Sequence, residues 1–131
     1  MKPSEVRHKV LVVDDSLIIV QRVVEILKEL DCIDFVSKAS NYTEAIALLE
    51  LNEYDVVLLD INLPGKNGIE LLSYIKEKYP ALKTMMLTNQ SNDHYRSLCD
   101  KLGADFFVDK TSEFEKISQI MNTFTEETRT Y

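Results

Sequence analysis

Val10-Leu11-Val12-Val13-Asp14-Asp15 carries four apolar residues straight into two carboxylates, and the pattern returns along the chain. Val56-Val57-Leu58-Leu59 ends in Asp60, Met85-Met86-Leu87 ends in Thr88, and Phe106-Phe107-Val108 passes through Asp109 into Lys110. A short apolar run bounded by polar residues is the pattern of a strand covered on both faces. In an open parallel sheet the carboxyl ends of all strands lie along one edge, and ligands bind there, at the switch point of the strand order. Asp14, Asp15 and Asp60 are therefore expected to form one acidic nest, with Thr88 and Lys110 on its rim.

Between the runs the hydrophobic period becomes helical. Val20, Val23, Val24, Leu27 and Leu30 share one stripe. Asn41 with Glu44 has capping-box spacing ahead of Ala45, Ile46, Leu48 and Leu49. Gly68 to Tyr79 reads as a helix that stops before Pro80. Ser91 or Asn92 is expected to cap a helix through Tyr95, Leu98, Cys99 and Leu102, and Ser112 with Glu115 to open the last one. Phe35-Val36, flanked by Asp34 and Ser37-Lys38, reads as a short polar edge strand. Strands and helices alternate five times, which predicts an α/β fold of the (βα)5 type. This is a doubly wound, flavodoxin-like parallel sheet with strand order 2-1-3-4-5. That order puts the switch point between the first and third strands, which end in Asp14-Asp15 and Asp60. The domain is expected to span residues 1–124, with a polar C-terminal tail over 125–131.

The chain has 131 residues, 45% of them hydrophobic, with 3 Gly and 3 Pro, which fits one folded domain. A net charge of −7 argues against binding nucleic acid through its phosphates. The apolar stretches are too short to cross a bilayer, and residues 1–5 do not resemble a signal peptide. Cys32 and Cys99 lack CxxC spacing and read as small core residues in a reducing compartment. A soluble cytoplasmic protein is the expectation.

Three carboxylates held close together repel: two like charges about 4 Å apart cost roughly 4 kcal/mol at an effective dielectric near 20. A cation or a bound proton relieves that cost. An all-oxygen site of carboxylates, a backbone carbonyl and water suits Mg²⁺, which takes phosphate oxygens as remaining ligands. Asp60 could then attack a phosphoryl donor as nucleophile. Lys110 would supply a point charge for one phosphoryl oxygen and the Thr88 hydroxyl a hydrogen bond for another.

Val12-Val13-Asp14-Asp15-Ser16, Asp60 followed by Leu63-Pro64-Gly65-Lys66-Asn67-Gly68, Leu87-Thr88, and Gly103-Ala104-Asp105 before Lys110 stand in order along nearly the whole chain. Together they resemble the receiver domain of two-component response regulators, in particular the single-domain chemotaxis type. The resemblance implies that Asp60 is the phosphoacceptor, fed by a histidine kinase or phosphotransfer protein in a phosphorelay. It implies Mg²⁺ held by Asp15, Asp60 and the Asn62 backbone carbonyl, with Asp14 acting mainly through water. Thr88 and Lys110 would sense the phosphoryl group, and Phe107 would be the aromatic switch that turns inward as Thr88 moves. The family has no separate enzymatic substrate; it catalyses its own phosphoryl transfer and slow dephosphorylation. The face of the fourth helix, fifth strand and fifth helix could pair with itself or with a downstream protein target. Two positions depart from the family: Thr111 stands where proline usually follows the lysine, and Asn89 where a small residue usually follows the threonine. Asn62 and Gln90 occupy the positions that tune hydrolysis.

Each residue also has a blander reading. Asp14 and Asp15 could simply cap a helix, Thr88 could be a turn residue, and Lys110 and Asp109 solvated charges. One of Phe106 and Phe107 is expected in the core, Met85-Met86 in the core, and His8 and His94 on the surface. Lys110 and Thr88 are expected to govern signalling more than folding. A receiver-like scaffold that is rarely phosphorylated is the second reading, kept alive by Asn89 and Thr111. A phosphohydrolase of the haloacid dehalogenase type would need an aspartate two residues after Asp60, where Asn62 stands.

Overall fold

The apolar runs become the central strands of one parallel sheet. The computed structural model describes residues 7–89, 93–110 and 112–129. In chain order the elements are β1 (His8–Val13), α1 (Leu17–Lys28), β2 (Ile33–Ala39), α2 (Tyr42–Leu51), β3 (Val56–Asp60), α3 (Gly68–Lys78), β4 (Lys83–Thr88), α4 (Asp93–Lys101), β5 (Phe106–Asp109) and α5 (Glu115–Arg129). The strand order is β2-β1-β3-β4-β5, as the sequence predicts, and the pairs are parallel.

Side chains alternate across each strand, so each run feeds two cores at once. Val10, Val12, Leu58, Met85 and Leu87 pack with Val20, Val23 and Leu27 of α1 and Ile117 and Met121 of α5. Leu11, Val13, Leu59 and Met86 point the other way, to Ala45 and Leu49 of α2, Leu71, Leu72 and Ile75 of α3, and Cys99 of α4. Both cysteines are buried and free.

The ends of the helices follow local chemistry. Asn41 Oδ1 accepts the Glu44 N–H at 2.8 Å, while the Glu44 carboxylate accepts from the Ser40 N–H at 2.7 Å, one residue before the expected partner. Asn67, quoted above only as part of a motif, caps α3 by accepting the Glu70 N–H at 3.0 Å. The expected Ser91 or Asn92 cap lies outside the described residues. Helix α5 begins at Glu115 rather than just after Ser112. It is entered by a tight turn in which the Lys116 and Ile117 N–H groups reach back only three residues, to Glu113 and Phe114.

Four expectations need correction. Strand β2 lies at the edge but runs seven residues, because an edge strand tolerates polar side chains on either face. Phe106 and Phe107 are both half-buried, one in each core, since β5 is the other edge. Helix α5 continues to Arg129, and Thr125 is buried, so the residues just after 124 are not a loose tail. His8 is buried rather than on the surface. Its ring stacks on Phe124 at 4.5 Å, and its Nε2 lies 2.9 Å from Thr125 Oγ1, locking the start of β1 to the end of α5. His94 is exposed, as expected.

Candidate functional site

Strand register alone brings the acidic residues together. Val13 pairs with Leu59, so the next residue on each strand, Asp14 and Asp60, are neighbours at the switch point between β1 and β3. Thr88 pairs with Asp109 across β4 and β5, and the Lys110 N–H continues the ladder to the Thr88 carbonyl at 2.7 Å. Parity then sorts the side chains. Asp14, Asp60 and Lys110 follow Val12, Leu58 and Val108 onto the face covered by α1 and α5. Thr88 follows Met86 onto the opposite face, where Met86 pairs with Phe107. Thr88 and Phe107 are thus diagonal neighbours on one side of the sheet, a spacing across which side chains interact.

Asp14, Asp15 and Asp60 each present a carboxylate oxygen within 4.8 Å of the other two. Asp14 and Asp60 are buried; Asp15 is exposed at the mouth. Neither Thr88 nor Lys110 is on the rim: both are 4% exposed, and Lys110 lies between the two buried acids. Its Nζ lies 2.7 Å from Asp14 Oδ2 and 3.2 Å from Asp60 Oδ2. The remaining oxygens are turned to the backbone. Asp14 Oδ1 accepts the Ser16 N–H at 2.9 Å and Asp60 Oδ1 accepts the Asn62 N–H at 3.2 Å. The capping reading of Asp14 gives way: Ser16 caps α1, its hydroxyl accepting the Ile19 N–H at 3.4 Å, and Asp14 only holds the N–H of that cap residue.

Burial pushes the Asp60 carboxyl above the usual carboxylate range, and the Asp14 charge adds to the push. Lys110 and the Asn62 N–H oppose it without cancelling it. Three carboxylates against one ammonium leave two negative charges in a partly enclosed pocket. Hard oxygen donors with a residual charge of two fit a divalent cation, and each carboxylate oxygen has a second lone pair to offer one.

The loop after Asp60 is held by a residue whose size is decisive. A Cβ on Gly68 would lie 1.9 Å from the Asp60 backbone oxygen, so only glycine lets α3 begin against the end of β3. Its N–H donates to the Ile61 carbonyl at 2.8 Å, closing the Ile61–Asn67 loop, and Gly65 at φ +76° makes the turn within it. Lys66 in the loop sits over the Tyr42 ring, 4.9 Å from its centre, and Arg96 of α4 over the Phe107 ring at 4.8 Å. Neither contact has a sequence signal, since each joins elements through an exposed side chain. Asn89 is exposed. Gln90, Thr111 and hence the Lys110–Thr111 peptide bond lie outside the described residues.

The family model described as the response regulator receiver domain matches residues 10–122. A protein-glutamate methylesterase/protein-glutamine glutaminase of Desulfotalea psychrophila is 35% identical over 107 residues, 80% of this chain and 29% of that protein. The chain spans about half of other curated relatives that it matches. Among solved structures, the receiver domain of Francisella response regulator 1452 superposes with a TM-score of 0.83 at 26% identity, covering 94% of this chain and 100% of that one. The beryllofluoride-activated receiver domain of DrrB superposes at 0.80 with 29% identity, covering 92% and 98%.

Proposed function

The chain belongs to the response regulator receiver domain family, a phosphorylation-dependent switch, and from that premise we propose that Asp60 is its phosphoacceptor. The observation that carries the proposal is the pairing of Asp60 with Asp14 across the switch point, with Lys110 bridging both. A carboxylate oxygen of Asp60 forms a bond to phosphorus as the bond from phosphorus to a donor imidazole nitrogen breaks. The electron pair stays on the imidazole. Receiver domains take their phosphoryl group from histidine kinases or phosphotransfer proteins, and we assign this chain a donor of that class and a cytoplasmic location. No described helix is long and apolar enough to cross a membrane.

Asp15, Asp60 and the Asn62 carbonyl would hold Mg²⁺, with Asp14 behind them. The ion would neutralise charge on the transferring phosphoryl oxygens. The protein's own part is to orient the nucleophile, through the Asn62 N–H on Asp60 Oδ1, and to keep an ammonium at hand on Oδ2. Once Asp60 carries the phosphoryl group, Lys110 can exchange a carboxylate for a phosphoryl oxygen. Thr88, one strand over, can donate its hydroxyl to another, and Phe107 on its diagonal can follow. The receiver unit on this reading is residues 1–124, with α5 carrying past it to Arg129. Signalling is then a change at the α4–β5–α5 face that a target, or a second copy, reads.

The test is intact mass after incubation with acetyl phosphate. One added phosphoryl group with Mg²⁺, none with EDTA and none in Asp60→Asn is the expected result. Equal uptake by Asp60→Asn would overturn the assignment.

A further inference from the structure

Phe107 is half-buried, and its exposed side is not bare: the Arg96 guanidinium lies over the ring, 4.8 Å from its centre. Arg96 projects from α4, and Phe107 from the middle of β5. The contact therefore joins α4 to the residue read as the switch, within the face proposed to change. Arg96 is itself exposed, so it contributes little to the core. Its charge also reaches Glu113, just ahead of α5, whose carboxyl is held low first by Lys116 and the Asp109 N–H and last by Arg96.

We propose that Arg96 is a positioning residue for the switch, a latch that holds Phe107 in its half-buried setting and sets how readily the ring turns inward. The proposal rests on the reading of Asp60 as phosphoacceptor and Phe107 as switch. A turn of the ring toward the Thr88 side removes its face from the guanidinium. Whatever favours the inward state must supply that loss, because a ligand shifts an equilibrium only by its differential affinity for the two states. Coupling is reciprocal: weakening the latch must tighten the binding of anything that selects the inward state. A cation over an aromatic face at an exposed site corresponds to a factor of about two to five in such an equilibrium.

The experiment is titration of the Mg²⁺-loaded protein with beryllofluoride, read from backbone amide resonances, for the parent and four variants. Arg96→Ala is expected to bind about two- to fivefold more tightly than the parent. Arg96→Lys, which keeps a cation, should fall between the two. In a Phe107→Ala background, adding Arg96→Ala should change nothing, because the ring is gone; a general structural role would not vanish in this way. An Arg96→Ala affinity equal to or weaker than the parent's overturns the latch, as does a gain that persists without the ring. A parent that binds no beryllofluoride overturns the phosphoacceptor reading and the latch with it.

Discussion

The two edges of the sheet both hold a carboxylate among lysines, and they hold it in opposite ways. At the edge away from the site, Asp105 accepts from Lys76 Nζ at 2.8 Å and from the Thr84 N–H at 2.9 Å, with Lys83 at 3.8 Å. Burial alone would raise its pKa, but these partners outweigh burial and hold it below the usual range. At the site edge three carboxylates share one lysine, and Asp60 is held above the usual range. A charge cluster that serves the fold satisfies its members. One that serves chemistry leaves charge over, to be met by something that binds. The sign of the pKa displacement separates the two uses although both lie at strand ends.

The largest contrast is in phosphorylation itself. Asp60→Asn should lose all phosphoryl uptake, whereas Asp105→Asn should keep it near the parent level while losing stability. If Asp105→Asn also abolished uptake in the folded protein, the division between the edges would fail. Next in size is Lys110. From the sequence Lys110 is expected to govern signalling more than folding, but its buried geometry makes it matter to the fold as well. Removing the ammonium leaves Asp14 and Asp60 facing each other unpaired, which should cost about 3 kcal/mol in EDTA. Mg²⁺ should restore part of it. Urea denaturation with and without the metal measures both, and an unchanged midpoint in EDTA would show that the pair does not depend on Lys110.

Much of this is legible in the sequence, because it depends on register and period. Four apolar runs placed Asp14, Asp60, Thr88 and Lys110 at strand ends, and the strand order then placed them together. The depth of Lys110 was not legible: the same sequence signal serves a lysine on the rim and one lying between two acids. Nor was His8, a single polar residue at a strand start whose burial depends on where a helix more than a hundred residues later comes to rest. Long-range contacts of single side chains, such as Arg96 on Phe107, leave no periodic trace.

Asp15 sharpens the comparison further, as the exposed member of the cluster that Lys110 does not reach. At a Mg²⁺ concentration ten times Kd, the parent should gain about 1.4 kcal/mol of stability through linkage. Asp15→Ala should be more stable than the parent in EDTA, having lost a repelling charge, and gain little from Mg²⁺. A full Mg²⁺ response in Asp15→Ala would remove Asp15 from the ligand set.

The smallest effect falls at the quiet edge and concerns His8. Thr125 Oγ1 donates its proton to the Met121 carbonyl at 2.8 Å, so the His8 Nε2–H must be the donor in the 2.9 Å bond between them. A second proton would have to enter at Nδ1 on a buried ring. Burial lowers the His8 pKa from 6.5, against a smaller opposing pull from Asp55. A base whose folded pKa is depressed stays neutral in the fold while the unfolded chain takes up its proton. Its stabilising contribution is therefore complete above about pH 6.5 and declines as pH falls below that value, toward the folded pKa. Thermal unfolding of the parent and His8→Gln between pH 8 and about pH 5.5 should give curves that differ in slope, the parent losing more on the acid side. Parallel curves would mean that the His8–Thr125 contact is insensitive to protonation.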